Sequence, residues 1–284
     1  MTDAPPVRRR LLGAALRRHR ESAGLGLDDA ARILECDRSK ISRIETGQRG
    51  IRPKELRELL TEYGVDEARR DALVTIGRQA WQRGWWQPYA HVLDEAYQDY
   101  IILESTAAAI WTYEAQLIPG LLQTEEYARA IAAASVVFEM REQQDTFVEV
   151  RLARQQILTR DKPLQLWAIL SEASLRQMIG GPEVMQAQLR RLAQVSADLP
   201  NVTLQVLPFA AGAHAGVSSG PFDVLRFPDA ADLGVVYLEG ESGGIYLEHE
   251  AEVARYSLVF EHLRASALST VATTQLISEV AREL

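Results

Sequence analysis

Residues 27 to 47 read Leu27-Asp-Asp-Ala-Ala-Arg-Ile-Leu-Glu-Cys-Asp-Arg-Ser-Lys-Ile-Ser-Arg-Ile-Glu-Thr-Gly47. The apolar positions fall on two helical faces: Ala30, Ala31, Ile33 and Leu34 on the first, and Ile41 with Ile44 on the second. Asp37 suits the N-cap of a helix beginning at Arg38, and Gly47 suits its C-terminal stop. The spacing therefore predicts two short, bounded helices around a tight turn. With Ile41 and Ile44 turned inward, Arg38, Ser39, Lys40, Ser42 and Arg43 are left on or near the solvent face of the second helix.

Such a helix fits the major groove of double-stranded DNA, where Arg and Lys bond guanine O6 and N7 and Ser uses several base edges. Its first turn also presents free backbone N–H groups to a phosphate. An ordinary charged surface helix would explain the composition but not the capped spacing, so these five residues are the candidate DNA contacts. The flanks agree. Leu12, Ala15 and Leu16 give an amphipathic segment ending at Gly24; Pro53 opens a helix carrying Leu56, Leu59 and Leu60; a fifth helix is expected over residues 66–77. Arg8, Arg9 and Arg10 form a basic patch just before the first helix, suited to phosphates or a minor groove and equally to a solvated lead-in.

Charge divides the 284-residue chain. Residues 1–80 hold 17 Lys and Arg against 13 Asp and Glu, a net of +4, so the overall −8 leaves −12 on residues 81–284. One end suits a polyanion and the other would be repelled by it. This places a DNA-binding domain at 1–80 and an effector-binding, partner-binding and dimerisation domain at 81–284. Cys36 is the sole cysteine and has no disulfide partner within the chain. The absence of a signal peptide and of a transmembrane run points to a cytoplasmic protein away from the membrane. Five histidines show no metal-ligand spacing, and the adjacent Glu125 and Glu126 point apart on a helix, so neither a cofactor nor catalysis is expected.

The second half begins with an aromatic, Gly- and Pro-containing junction holding Trp81, Trp85 and Trp86, which suits ligand stacking or interdomain packing. Helix is expected over residues 92–112. A Pro119-Gly120 breaker follows, then a helix capped by Thr124 and helical stretches to about residue 160. Strands are expected at 164–170, 202–208, 222–227, 234–239 and 244–248, with helices at 172–178, 184–197, 250–268 and 271–284. The fold class is thus multidomain: an all-α helix-turn-helix domain, a helical linker region, and an α/β or α+β C-terminal domain. His214, in the Gly-rich loop 209–216, is a candidate ligand or partner contact or a tie for the loop's own backbone. Val253, Tyr256, Val259, Phe260, Leu263 and Leu268 form a stripe able to dimerise the chain or to close its core.

The segments Gly24-Leu-Gly-Leu-Asp-Asp-Ala-Ala31 and Arg38-Ser-Lys-Ile-Ser-Arg-Ile-Glu-Thr-Gly47 resemble the lambda-repressor-like, or XRE-type, helix-turn-helix regulators. The resemblance implies base or backbone contacts from Arg38, Ser39, Lys40 and Arg43. The chain departs from the family pattern at Gly26, where a Thr cap is usual, and at Leu27, where a phosphate-contacting Gln is frequent. The segments 118–129, 207–216, 220–222, 236–239 and 253–264 resemble the Scr1-like (DUF5753-like) C-terminal domain of actinobacterial XRE-type regulators. That second resemblance implies a transcriptional regulator with a small DUF397-like protein partner; the two-domain organisation offers a small-molecule effector as the alternative, and half-site reading of DNA suggests a homodimer.

Overall fold

The computed structural model describes residues 6–79, 86–138, 140–227, 230–240 and 243–284. The chain divides into two compact units, Met1–Trp85 with Arg226–Gly234, and Trp86–Leu225 with Val235–Leu284.

The N-terminal helices are α1 (Val7–Ser22), α2 (Leu27–Ile33), α3 (Arg38–Glu45), α4 (Pro53–Glu62) and α5 (Glu67–Gln79). Their core is formed by Leu12, Ala15 and Leu16 of α1, Ile41 and Ile44 of α3, Leu56, Leu59 and Leu60 of α4, and Leu73 of α5, all buried. Two glycines let α1 and α3 approach closely. A Cβ on Gly13 would lie 2.5 Å from the carbonyl oxygens of both Ile44 and Glu45. Gly47 has φ +75°, and a Cβ there would lie 2.9 Å from the Arg10 nitrogen. Arg20 completes the joint: its Nε and Nη2 donate to Glu45 Oε1 and Oε2 at 2.7 and 2.8 Å, and its Nη1 to the Leu25 carbonyl at 2.8 Å.

The C-terminal unit follows the order α6 (Glu95–Thr106), β1 (Ala109–Glu114), α7 (Glu125–Ala134), α8 (Arg141–Arg154), β2 (Gln165–Ser171), α9 (Glu172–Arg176), α10 (Pro182–Asp198), β3 (Val202–Leu207), α11 (Gly216–Ser219), β4 (Phe222–Phe227), β5 (Ala230–Leu238), β6 (Ile245–Leu247), α12 (Glu250–Ser266) and α13 (Thr270–Glu283). The strands form one sheet in the order β3-β2-β1-β4-β5-β6. β1, β2 and β3 are parallel, with Ala109 opposite Gln165 and Leu166 opposite Val202; β5 and β6 are antiparallel. The helical first unit and the mixed sheet with helices of the second agree with the fold class read from the sequence. One element differs: the helix expected to run to residue 112 ends at Thr106, and a strand central in the sheet begins at Ala109.

Side chains alternate across this sheet with the two-residue period of a strand. On one face Tyr113, Ile169, Phe222, Val224 and Val236 pack with Phe260 and Leu263 of α12. Val253, Tyr256 and Val259 pack against the same cluster, so the stripe proposed for dimerisation closes the core of this unit. Alternate residues of the same strands, among them Glu114, Asp223 and Tyr237, face elsewhere.

Candidate nucleic-acid interface

Alpha-helix α3 is held from behind. Ile41 and Ile44 are 1% and 2% exposed, while Arg38, Ser39 and Arg43 are exposed. The turn before it is a Schellman motif: the Cys36 N–H donates to the Ala31 carbonyl at 2.9 Å and the Glu35 N–H to that of Arg32 at 3.2 Å, with Glu35 at φ +47°. Arg43 folds along its own helix, with Nε donating to the Ser39 carbonyl at 3.2 Å and Nη2 to Ser39 Oγ at 3.3 Å. Arg38 Nη1 lies 3.8 Å from Asp28 Oδ2, both side chains largely in solvent. Among the described residues, both arginines are held by weak, solvated contacts that a nucleic acid can replace.

The other predicted residues are placed differently. Lys40 is turned toward α4, its Nζ donating to Glu55 Oε1 at 2.6 Å, and is only partly exposed. Burial pushes the Glu55 carboxyl up, but the hydrogen bonds from Lys40 and the Arg52 backbone, with their charges, bring it below the usual carboxylate range. Ser42 is partly buried, and its carbonyl accepts from the Thr46 hydroxyl at 2.9 Å. Arg8, Arg9 and Arg10 lie in the first turn of α1, not ahead of it; Arg8 is 8% exposed and the other two are partly buried.

Sequence reasoning passed over Arg49 and Arg52, exposed cations just beyond the Gly47 stop, with the Arg49 N–H donating to the Arg43 carbonyl at 2.9 Å. The signal was present in their basic spacing after α3. The N-terminus of α2 is acidic: Asp29 Oδ2 accepts from the Gly26 N–H at 2.7 Å, closing the end that lacks a side-chain cap, and Asp28 stands beside it.

Trp85 lies outside the described residues. Trp86 is buried, its carbonyl accepting from the Tyr89 N–H at 2.8 Å. His214 is partly buried; its Nδ1 accepts from the Gly216 N–H at 3.2 Å, and its ring meets Tyr113 edge-on at 6.2 Å. This is the geometry of a side chain tying down its own loop. Among the described residues, no helix is long and apolar enough to cross a membrane, and no three or more His, Cys, Asp or Glu are grouped to hold a metal ion.

The N-terminal fold and its exposed α3 define a helix-turn-helix domain, and the family model of that description matches residues 11–73. The chain as a whole belongs to the family described as domain of unknown function DUF5753, whose model matches residues 97–279. No curated protein and no solved structure matches the chain.

Proposed function

We propose that this chain is a sequence-specific DNA-binding transcriptional regulator, cytoplasmic and without catalytic activity, that works as a homodimer whose operator affinity is set through the C-terminal unit by a small protein or a small molecule. The observation that carries the reading is α3: two buried isoleucines on one side, and exposed Arg38, Ser39 and Arg43 on the other. A helix so anchored offers its cations to base edges without giving up core contacts. Arg49 and Arg52 extend the positive surface toward phosphates, and Arg9 and Arg10 remain candidates for backbone contact. A dimer would set two α3 helices into half-sites about one helical turn apart.

The test is unbiased recovery and sequencing of duplexes bound by the purified chain, followed by gel shifts on the recovered operator across a salt series. Arg38→Ala and Arg43→Ala are each expected to weaken specific retardation by about 1–3 kcal/mol while leaving the circular dichroism and melting profile intact. A second reading, an antitoxin-like protein-interaction module without strong DNA specificity, is favoured by Leu27, Asp28 and Asp29, which put apolar and acidic groups where a phosphate would approach α2. Enrichment of no sequence, with a small protein co-purifying, supports that second reading.

A further inference from the structure

The sheet face opposite α12 opens into a cavity of about 1180 Å³, lined by Thr112 and Glu114 of β1, Asp223 of β4, and Tyr237 and Glu239 at the end of β5. It is as large as the pockets that enclose small organic ligands. Its walls are α6, α8 and the segment at residues 135–138. Neither Trp86 nor His214, the contacts expected from the sequence, is part of the lining.

Charge in the lining is unbalanced. Asp94, Glu95, Glu114, Asp223 and Glu239 face two guanidiniums, those of Arg151 and Arg154. Arg154 is already neutralised: its Nε and Nη2 donate to the buried Glu104 carboxylate at 2.7 and 2.6 Å, between the rings of Tyr97 and Tyr100. Asp94 is committed as the N-cap of α6, accepting from the Tyr97 N–H at 2.7 Å. Arg151 donates to Gln123 Oε1 at 3.0 Å and lies over the Phe147 ring at 4.4 Å.

Two carboxylates remain at the centre. Asp223 accepts from the Tyr100 hydroxyl at 2.7 Å and from Thr112. Glu114 is partly exposed in the wall, and its carboxyl group receives no hydrogen bond or ion pair from any described residue. Two acids brought together in a recess, one of them with no donor from the protein, favour a cation between them. Beside the acids the lining is apolar, with Ile118, Leu121, Ile131, Val136, Val137 and Phe138. Val136 and Val137 are 84% and 64% exposed.

We propose that this cavity binds a small organic cation, an amine with an apolar body, whose charged nitrogen is held between Glu114 and Asp223 and whose body rests on the apolar wall. Burial, and then the neighbouring Asp223 and Glu239, push the Glu114 carboxyl well above its usual range, with Arg151 opposing. Burial likewise pushes Asp223 up to about 6, with Glu104 and Glu239 adding to the rise against the hydrogen bonds of Thr112 and Tyr100. A cation between Glu114 and Asp223 favours the charged form of both carboxyls, so affinity falls as pH drops through the Asp223 value. As the effector of the regulator the amine rests on the DNA-binding reading above. As a ligand it does not.

The full chain is titrated by calorimetry and by melting shift with phenethylamine, octylamine and spermidine, each arm paired with 2-phenylethanol and 3-phenylpropionate as neutral and anionic counterparts, and with hexalysine as a protein-like cation. At least one amine is expected to raise the melting point and to bind at least tenfold more tightly than the alcohol, with the acid inert. Glu114→Gln and Asp223→Asn, which both relieve buried charge and so keep the fold, are expected to weaken that amine tenfold or more. No response to any amine, equal binding of amine and alcohol, or saturation by hexalysine alone overturns the site. Operator affinity unchanged by a bound amine overturns its effector role and leaves the site standing, whereas a chain that binds amine but no duplex overturns the DNA-binding reading instead.

Discussion

Glu35 occupies the left-handed position of the turn between α2 and α3, φ +47°, a conformation in which a Cβ crowds the following carbonyl. Glycine is the residue that position favours, and Glu35→Gly is expected to stabilise the N-terminal unit by up to about 1 kcal/mol. A raised urea midpoint at unchanged slope would show it; a lowered midpoint would mean that the turn is held by its side chain. Lys40 and Arg43 make the complementary contrast, since three positions along one short helix have put them in different roles. Lys40→Ala is expected to cost about 1 kcal/mol of stability by freeing Glu55, with little change in operator preference. Arg43→Ala should leave stability unchanged and cost about 1–3 kcal/mol of specific binding. Equal losses of operator binding from both would place Lys40 at the DNA, not in the α3–α4 joint.

At the scale of elements, the position of α3 is set by its backbone as much as by its side chains. Gly13 lets α1 lie against the carbonyls of Ile44 and Glu45, and the Arg20–Glu45 pair, 7% and 6% exposed, fixes the end of the same helix. Gly13→Ala is expected to destabilise the unit by about 2 kcal/mol, because the atoms a methyl would meet are backbone and cannot swing away, which outweighs the gain in helix propensity. Operator affinity should fall with it, read by gel shift on protein that remains folded at low temperature. An alanine variant of unchanged melting point would show that α1 and α3 can separate at no cost.

Legibility in the sequence follows from the same elements. Both ends of α3 and the start of α4 were readable: Asp37 stands at the N-cap position, without a capping hydrogen bond from its side chain, Gly47 lies just past the end, and Pro53 opens α4. β1 was not. Ala107 to Trp111 is an apolar run following a helix without a strong breaker, and periodicity cannot tell a buried strand from the helix it continues. Missing β1 hid the cavity as well: with the helix expected to end at Thr112, nothing set Thr112 and Glu114 on one face, whereas a strand places them side by side. Asp223 lay within a correctly expected strand, but its partners Tyr100 and Thr112 come from distant segments, which no local pattern brings together.

Over the whole molecule, the two units should respond to pH differently. In the N-terminal unit, Glu55 sits below its ordinary 4.5, so its contribution is complete above that value and is lost only as pH falls through the lowered one. In the C-terminal unit, Asp223 is raised from an ordinary 3.8 to about 6. The folded form then holds the proton more tightly than the unfolded chain, so protonation at Asp223 stabilises the fold on going down through about 6, and that gain is complete below the unfolded value. Glu114, raised by burial, acts in the same direction. Glu172 acts oppositely: burial raises it, but the Phe209 N–H and Arg176 bring it below the usual range, which matters only at more acidic pH. Lowering the pH from about 7.5 to about 5.5 should therefore strengthen the C-terminal unit by roughly 1 kcal/mol from Asp223 alone and leave the N-terminal unit nearly unchanged. Hydrogen exchange, corrected for intrinsic rates, should show about fivefold greater protection of β1 and β4 amides at the lower pH, with α3 and α4 unaffected. Asp223→Asn should be more stable than the parent at the higher pH and should lose its share of the increment. Protection that falls across this window, or that changes equally in both units, would mean that Asp223 keeps its charge in the folded chain down to the lower pH and that the cavity wall is open to water at its centre.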